Sequence, residues 1–582
     1  MIPGKTILDS LSPSKKLVLC LVIVLVGNFL LYIDTIHYDF LKDDFRLIVE
    51  NPRIKDFNAF SESIGSKFFA FPDYPYLHYW RPLSLFSFYI DYQIWGLNPG
   101  GYHLTNIIFN ALNGVLILLI FYFLFGNLRF AFLVSLFFSI HPSHVEAVSW
   151  ISGRTDLLGA FFVFLALLFF LLFRKKKNYL FYGISFLFFI MGLLSKENVL
   201  LFPLMAAGLI FMERIDSPKK QELSFSSKIK EWFFTFPFFG IAGIFIILHN
   251  RFSGIGNAVK GFSFGDIPVI IKTVGAYIRI ILLPFYPVPH FSMHAFDHNL
   301  TEYLMYAVLG VIILVFLIIK RDNFKATLWS LVFFVFLIPV LDPEIVPSYP
   351  KIVTRFAYIP AIIGGVFFLE AVRILRDRKL KRIIASLLIL IAVSWVIETV
   401  AFQGYFKDKY THYKGLIPFD PEDNSLVLPW ALIMAQDGRN DEALELANKA
   451  LKADNESRWI DVSDLAGLLK ANLLINKGEL EQGKEIAEKI LWETKKDEMK
   501  YFGCLVLSRY EEKKGNIQRA IEILKKAAQI GKTGDVYFRM AVDYYGLGDY
   551  KNAILFLDQA VKEGGMDSRY EKLREAIKKH LK

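Results

Sequence analysis

Two adjacent carboxylates, Asp43 and Asp44, lie just past the first apolar run, in His37-Tyr38-Asp39-Phe40-Leu41-Lys42-Asp43-Asp44-Phe45-Arg46. Paired carboxylates beside a membrane surface can take a proton from a hydroxyl or hold a cation. The same residues also suit a plain solvated acidic loop. A second group, His141-Pro142-Ser143-His144-Val145-Glu146, is followed by Gly153-Arg154-Thr155-Asp156. Its imidazoles could bind metal or orient a carboxylate, or could simply be interfacial histidines satisfied by backbone. If a divalent cation is held, Asp43, Asp44 and His144 are its candidate ligands, and no other cofactor is implied. Arg154 and Asp156 could equally form an ion pair at a helix end.

A third set is cationic. It comprises Arg81 in Trp80-Arg81-Pro82, Lys196 in Ser195-Lys196-Glu197-Asn198, Arg251, and Arg355 in Thr354-Arg355-Phe356-Ala357-Tyr358-Ile359-Pro360. Cations at headgroup depth suit an anionic lipid phosphate, which arginine can grip through two oxygens. Each one alone also fits a snorkelling membrane anchor.

These groups must be carried by membrane helices. Of 582 residues, 54% are apolar and 21% charged, which excludes both disorder and a wholly soluble fold. Leu17 to Ile33 follows Lys15 and Lys16 without a small-residue cleavage site, as an uncleaved signal anchor would. Further spans are predicted at 104–126, 128–141, 155–173, 179–194, 198–212, 232–249, 302–319, 326–341, 356–373 and 383–402, about eleven crossings in all. The segments 83–96 and 266–286 are expected to be interfacial or re-entrant, the latter because it carries Lys272 and Arg279. With the N-terminus inside, Arg129, Arg174 to Lys177, the Lys219 to Lys230 linker, Lys320, Arg321 and Arg373 to Arg382 collect on the cytoplasmic side. All three chemistry-bearing groups, and everything after residue 402, then fall outside.

Residues 403–582 hold 30 Lys plus Arg and 30 Asp plus Glu, so the whole net charge of +10 belongs to the membrane part. A nucleic-acid partner is therefore not expected. Cys20 and Cys504 offer neither a disulfide framework nor a metal spacing. The C-terminal part repeats. Gly548-Asp549-Tyr550 with Ala553, Leu557 and Ala560 recurs 33 residues earlier as Gly515-Asn516 with Ala520, Leu524 and Ala527. Looser copies are Gly478-Glu479 with Gly483, Ala487 and Ile490, and Gly438 with Ala443, Ala447 and Ala450. A turn glycine, small residues at the helix crossing and this period predict about four tetratricopeptide-type helix hairpins stacked as an α-solenoid. The fold class is all-α, with a membrane domain over 1–405 and a repeat domain over 406–582.

The ordered series Asp43-Asp44, Trp80-Arg81-Pro82-Leu83, Gly101-Tyr102-His103-Leu104-Thr105-Asn106, His141-Pro142-Ser143-His144-Val145-Glu146-Ala147-Val148, Gly153-Arg154-Thr155-Asp156, Ser195-Lys196-Glu197 and Arg355-Phe356-Ala357-Tyr358-Ile359-Pro360 resembles one family. It is similar to the transmembrane-and-tetratricopeptide-repeat O-mannosyltransferases, in a prokaryotic-looking version with fewer repeats. Arg355-Phe356-Ala357-Tyr358 departs from that family's usual Arg-x-Leu-Tyr.

The resemblance implies a GT-C glycosyltransferase fold in a bacterial or archaeal cytoplasmic membrane. It implies a polyprenyl-phosphate sugar, mannose, as donor, and a Ser or Thr hydroxyl of an acceptor protein, recruited by the repeats. Asp44 or Asp43 would be the base of an inverting attack, with Asp44 preferred. Arg355, Lys196, Arg154 and Arg81 would stabilise the departing lipid phosphate, and His141, His144, Glu146, Asp156, Glu197 and Tyr358 would shape the site. Two other readings remain: transfer to a glycan or lipid acceptor, and a non-catalytic membrane scaffold.

Overall fold

The computed structural model describes residues 12–64, 80–215, 231–253, 267–284, 290–291, 300–341, 352–419, 421, 423–452, 462–531, 533–564 and 568–580. The basic 219–230 linker lies outside them. The protein is a helical membrane protein followed by a helical domain. Two compact units divide the chain, the first reaching His412 and the second continuing from Tyr413.

Among the described residues of the first unit six helices are long and apolar enough to cross a bilayer: Pro13–His37, Pro99–Phe125, Ile151–Lys176, Glu197–Ile215, Glu231–Phe252 and Arg378–Phe406. A seventh is Leu128–Ser139 with Pro142–Ser149, if this pair, bent by 52°, is counted as one span. Tyr179–Leu193, Leu304–Ile319 and Lys325–Leu341 are shorter apolar helices. The expected eleven crossings thus correspond to six or seven full-length spans plus short ones. The break in 128–141 has a simple cause, because Pro142 cannot continue the helix begun at Leu128. The predicted span 356–373 is helical only over Ile362–Arg373. Its first part is instead a 3-10 turn, Thr354–Ala357, entered from a two-residue antiparallel pairing of His290–Phe291 with Ile352–Val353.

Local signals set the helix ends. The Asn98 side chain accepts from Gly100 N (3.1 Å) at the start of Pro99–Phe125, and Gly126 ends that helix at φ 67°. Asn127 caps the next helix through Phe130 N (3.1 Å). Between them the helices bury one apolar core that includes Ile117, Phe121, Val134, Phe138, Phe164, Phe170 and Phe202.

A buried ion pair pins the polar end of this core. Pro82–Trp95, the segment expected to lie in the interface, buries Ser84, Leu85, Phe88 and Asp91 on one stripe. Asp91 pairs with Arg154, whose side chain is 0% exposed. Arg154 also donates through Nε to Asn106 Oδ1 (2.8 Å) and through Nη2 to the Tyr102 carbonyl (2.7 Å). Its guanidinium carbon lies 4.7 Å from the Phe88 ring centroid.

The second unit is a series of helix hairpins. Asn424–Gln436 pairs with Asn440–Lys452, Val462–Lys477 with Leu480–Glu493, Asp497–Lys513 with Ile517–Ile530, and Gly534–Gly546 with Tyr550–Gly564. The recurring glycines do what the period requires. Gly438, Gly478, Gly515 and Gly548 adopt φ of 78°, 93°, 82° and 76°, conformations that a side chain disfavours. The recurring small residues are buried where helices cross, and a Cβ on Gly483 would stand 2.6 Å from the Ala471 carbonyl.

Asp91→Asn should be costly, because it leaves the buried Arg154 guanidinium without a counter-charge, a penalty of about 3–5 kcal/mol. Thermal unfolding in detergent should show a large loss of Tm for Asp91→Asn and substantial recovery for Asp91→Leu/Arg154→Met. Equal Tm for wild type and Asp91→Asn would show that the pair does not hold the fold.

Candidate active site

The chain leaves its first membrane helix through the 3-10 turn Ile33–His37 and doubles back at Lys42, a non-glycine residue at φ 53°. The two following carboxylates then part company. Asp43 is exposed, whereas Asp44 is 1% exposed and enclosed by donors. Leu41 N donates to Asp44 Oδ2 (2.9 Å), and Ser152 donates to Oδ1 through both its N–H (2.9 Å) and its hydroxyl. Burial pushes the Asp44 carboxyl up to about 7; the three hydrogen bonds oppose that rise and the Asp43 charge adds to it.

The acidic loop and the cationic turn meet across Trp150. The Trp150 indole donates to the Leu41 carbonyl (3.1 Å), with the Lys42 ammonium 5.7 Å and the Arg355 guanidinium 5.2 Å from its ring centroid. Arg355 is held by Glu146, which takes its Nη1 and its backbone N (3.2 Å) as well as the Thr354 hydroxyl (3.2 Å). Asp156 lies 3.7 Å from Arg355 Nε and also pairs with Lys196. Lys196 in turn sits 5.1 Å from the Phe356 ring. Beside it, Arg81 grips Glu197 with two nitrogens, Nε to Oε1 at 2.9 Å and Nη2 to Oε2 at 2.7 Å. Three cations and three carboxylates thus alternate along one polar seam. Arg355, at 24% side-chain exposure, is the most open of the three cations.

The structure therefore gathers Asp43, Asp44, Glu146, Asp156, Lys196, Glu197, Arg81 and Arg355. It separates Arg154 from them. Arg154 shares a sequence motif with Asp156 yet pairs with Asp91, because its helix start turns the side chain toward Pro82–Trp95; its nitrogens are spent there and reach no open surface. The histidines turn to backbone carbonyls. His141 Nε2 lies 3.3 Å from the Ile281 carbonyl, and its Nδ1 takes the Ser143 hydroxyl (2.8 Å). His144 Nε2 donates to the Tyr358 carbonyl (3.1 Å), its ring 4.2 Å from the Tyr358 ring. Among the described residues no three His, Cys, Asp or Glu side chains gather as a metal site, so Asp43, Asp44 and His144 do not form one ligand set.

Tyr358 anchors the cationic turn from below. Its hydroxyl donates to Asn110 Oδ1 (2.7 Å) and accepts from Asn113 Nδ2 (3.1 Å). Asn110 donates on to Asn28 (2.8 Å), and Asn28 donates to Ser139 Oγ (2.8 Å). Asn106 donates to the carbonyls of Val148 (3.2 Å), Trp150 (3.1 Å) and Ile151 (3.3 Å). The sequence motifs include Asn106 but give it no role and leave out Asn28, Asn110 and Asn113, although Asn106, Asn110 and Asn113 share one helix face in an otherwise apolar span, which is itself a signal.

The fold and this seam define a polytopic helical membrane protein with a polar, charge-paired site at the ends of its spans. The chain is related to the TMTC-type protein O-mannosyl-transferases. It is 31% identical over 142 residues to protein O-mannosyl-transferase Tmtc1 of Drosophila melanogaster, covering 24% of this chain and 16% of that protein. It is 25% identical over 269 residues to Tmtc2 of the same organism, covering 45% and 28%. With Homo sapiens TMTC2 it is 32% identical over 151 residues, covering 26% and 18%. The matches thus span well under half the length of these relatives. No family model matches the chain.

The Asp44 environment makes stability pH-dependent. Its carboxyl holds a proton more tightly folded than unfolded, so its contribution is fully present below about pH 4 and is lost as pH rises through about 7. Tm measured from pH 4.5 to 8 should therefore fall more steeply for wild type than for Asp44→Asn. Parallel curves would show that Asp44 is not buried as described.

Proposed function

We propose that this protein is a glycosyltransferase that moves mannose from a polyprenyl-phosphate donor to Ser or Thr hydroxyls of proteins. The relatives' names support the reaction class. The single observation that carries the site assignment is the approach of an exposed acidic loop and an open cation to one ring: Asp43 reaches solvent next to Lys42, whose ammonium lies 5.7 Å from the Trp150 ring centroid, and the Arg355 guanidinium lies 5.2 Å from the same centroid.

A base must come within hydrogen-bond reach of the proton it takes. Asp43 meets that condition as it stands, whereas Asp44 has its oxygens turned onto Leu41 and Ser152. In the proposed reaction Asp43 accepts the proton of the acceptor hydroxyl, and that oxygen attacks the anomeric carbon from the face opposite the phosphate. The bond from the anomeric carbon to the phosphate oxygen breaks, and the lipid phosphate leaves with the electron pair and the configuration inverted. Its charge is met by Arg355, supported by Lys196 and Arg81. Their carboxylate partners keep the seam neutral until the donor arrives, which lowers the cost of holding three cations at the membrane boundary.

The donor's polyprenyl chain ties it to the bilayer, which accounts for an active site on membrane helices. In this reading the N-terminus is cytoplasmic, while the acidic loop, the cationic turn and the hairpin domain lie on the outer side. The hairpins, read as tetratricopeptide repeats, raise the effective concentration of an extended acceptor segment.

The test is transfer of labelled mannose from polyprenyl-phosphate mannose to envelope proteins by the purified full chain, with and without a chelator. Asp43→Asn should reduce transfer by about 10²- to 10⁴-fold and Arg355→Ala by about 10²- to 10³-fold. Full activity in folded Asp43→Asn would remove the base assignment, and label on lipid or glycan instead of protein would reassign the acceptor.

A further inference from the structure

Asp44 is an unusual carboxylate: nearly without exposure, it accepts three hydrogen bonds, two of them from one residue. Ser152, the donor of that pair, is itself buried in the 3-10 turn Ile151–Gly153. This turn is fixed from two further sides. Asn106 spans it, its amide donating to the carbonyls of Val148, Trp150 and Ile151, while its own oxygen accepts from Arg154 Nε at 2.8 Å. Arg154 is in turn immobilised by Asp91. On the other side the Trp150 indole donates to the Leu41 carbonyl, two residues before Asp43. A continuous chain of buried polar contacts thus runs from Asp91 through Arg154, Asn106 and the 148–152 turn to Asp44, and it ends one residue from the exposed carboxylate.

We infer that Ser152 and Asp44 form a clasp that fixes the loop bearing Asp43, so that Ser152 is a positioning residue for the transfer reaction. The inference rests on the assignment of Asp43 as the base. The backbone supports it independently, because Lys42 holds a positive φ, a conformation a non-glycine residue keeps only where its surroundings impose it. The clasp and the Trp150 indole restrain the loop on either side of that residue. The charged groups around Asp44 are Asp43 and Lys42 on its own loop, Arg154 just beyond Ser152 but turned to Asp91, and Arg355 across Trp150. The hydroxyl of Ser152 favours the ionised form of Asp44, so its removal matters more when Asp44 is charged.

The experiment compares wild type, Ser152→Ala, Ser152→Thr, Asp44→Ala and the double variant Asp44→Ala/Ser152→Ala, each as the full chain in detergent. In thermal unfolding from pH 5 to 9, Ser152→Ala should lie below wild type by a margin that widens as pH rises past about 7. Ser152→Thr, which keeps the hydroxyl, should restore most of it. The widening should vanish when Asp44 is already alanine. In mannose transfer, kcat normalised to correctly folded protein should fall about 10- to 100-fold in Ser152→Ala with the donor KM unchanged, as expected when a reacting group is misplaced while the phosphate cations are intact.

A margin that is the same at every pH, or that persists without Asp44, overturns the clasp. Unchanged kcat in Ser152→Ala overturns its positioning role. If the pH-dependent coupling is present but Asp43→Asn transfers normally, or wild type transfers nothing, the clasp stands and the functional reading is what fails.

Discussion

A guanidinium with no access to water needs a full set of partners, and Arg154 determines much of the polar end of this protein by demanding them. Its neighbours come from separate parts of the chain: Asp91 from the helix that lies before the second span, Tyr102 and Asn106 from that span, and its own backbone from the start of the next. Leaving out Asp91 would strand a charge in an apolar surround, and leaving out either neutral oxygen would strand a buried N–H, both expensive where no water can substitute. The three elements are therefore locked in register before any question of chemistry arises. The turn that precedes Arg154, carrying Trp150 and Ser152, inherits its position from that lock.

Above this rigid base the charged seam follows a different rule. Arg81, Lys196 and Arg355 are each matched to a carboxylate, and Asp156 serves two of them. Such a neutral arrangement can sit at the end of a membrane span without a large solvation cost. Arg355 differs from the rest by its exposure and by resting on an aromatic face. It is placed by what lies beneath it, the Tyr358 hydroxyl between two asparagine amides and the His144 ring against the Tyr358 ring.

Much of this organisation could be read from residue types and spacing, and the exceptions are instructive. The hairpin repeats were legible because a turn glycine and small crossing residues must recur at a fixed period whatever else varies. That Glu146, Asp156, Lys196 and Arg355 would share one membrane face was legible from where the basic clusters set the orientation of the spans, while their meeting at one site was implied only by the family resemblance. The same reasoning misplaced Arg154, since sequence shows that a cation needs a partner but not which of two nearby carboxylates it turns toward. It also could not separate Asp43 from Asp44, because the distinction is made by Leu41 and Ser152 donors supplied by the folded turn. The segment 356–373 carries no charge before Glu370, and hydropathy does not register that its beginning must unwind to bring Arg355 and Tyr358 to opposite sides of one turn.

The asparagines inside the spans carry a consequence for the first helix. That helix is largely open to lipid, and an apolar cylinder in lipid has no preferred azimuth. Asn28 removes this freedom, donating to Ser139 and accepting from Asn110, while Gln403 donates to the Leu31 carbonyl (2.9 Å) one residue before the α-helix ends at Tyr32. Two amides thus act as a keyway. A rotation by a single residue would sweep the exit of the helix through about 100°, by the 3.6-residue turn of an α-helix, and the acidic loop would leave in another direction. The bearing of that loop toward the rest of the molecule is therefore decided inside the first span, before the chain reaches the loop itself.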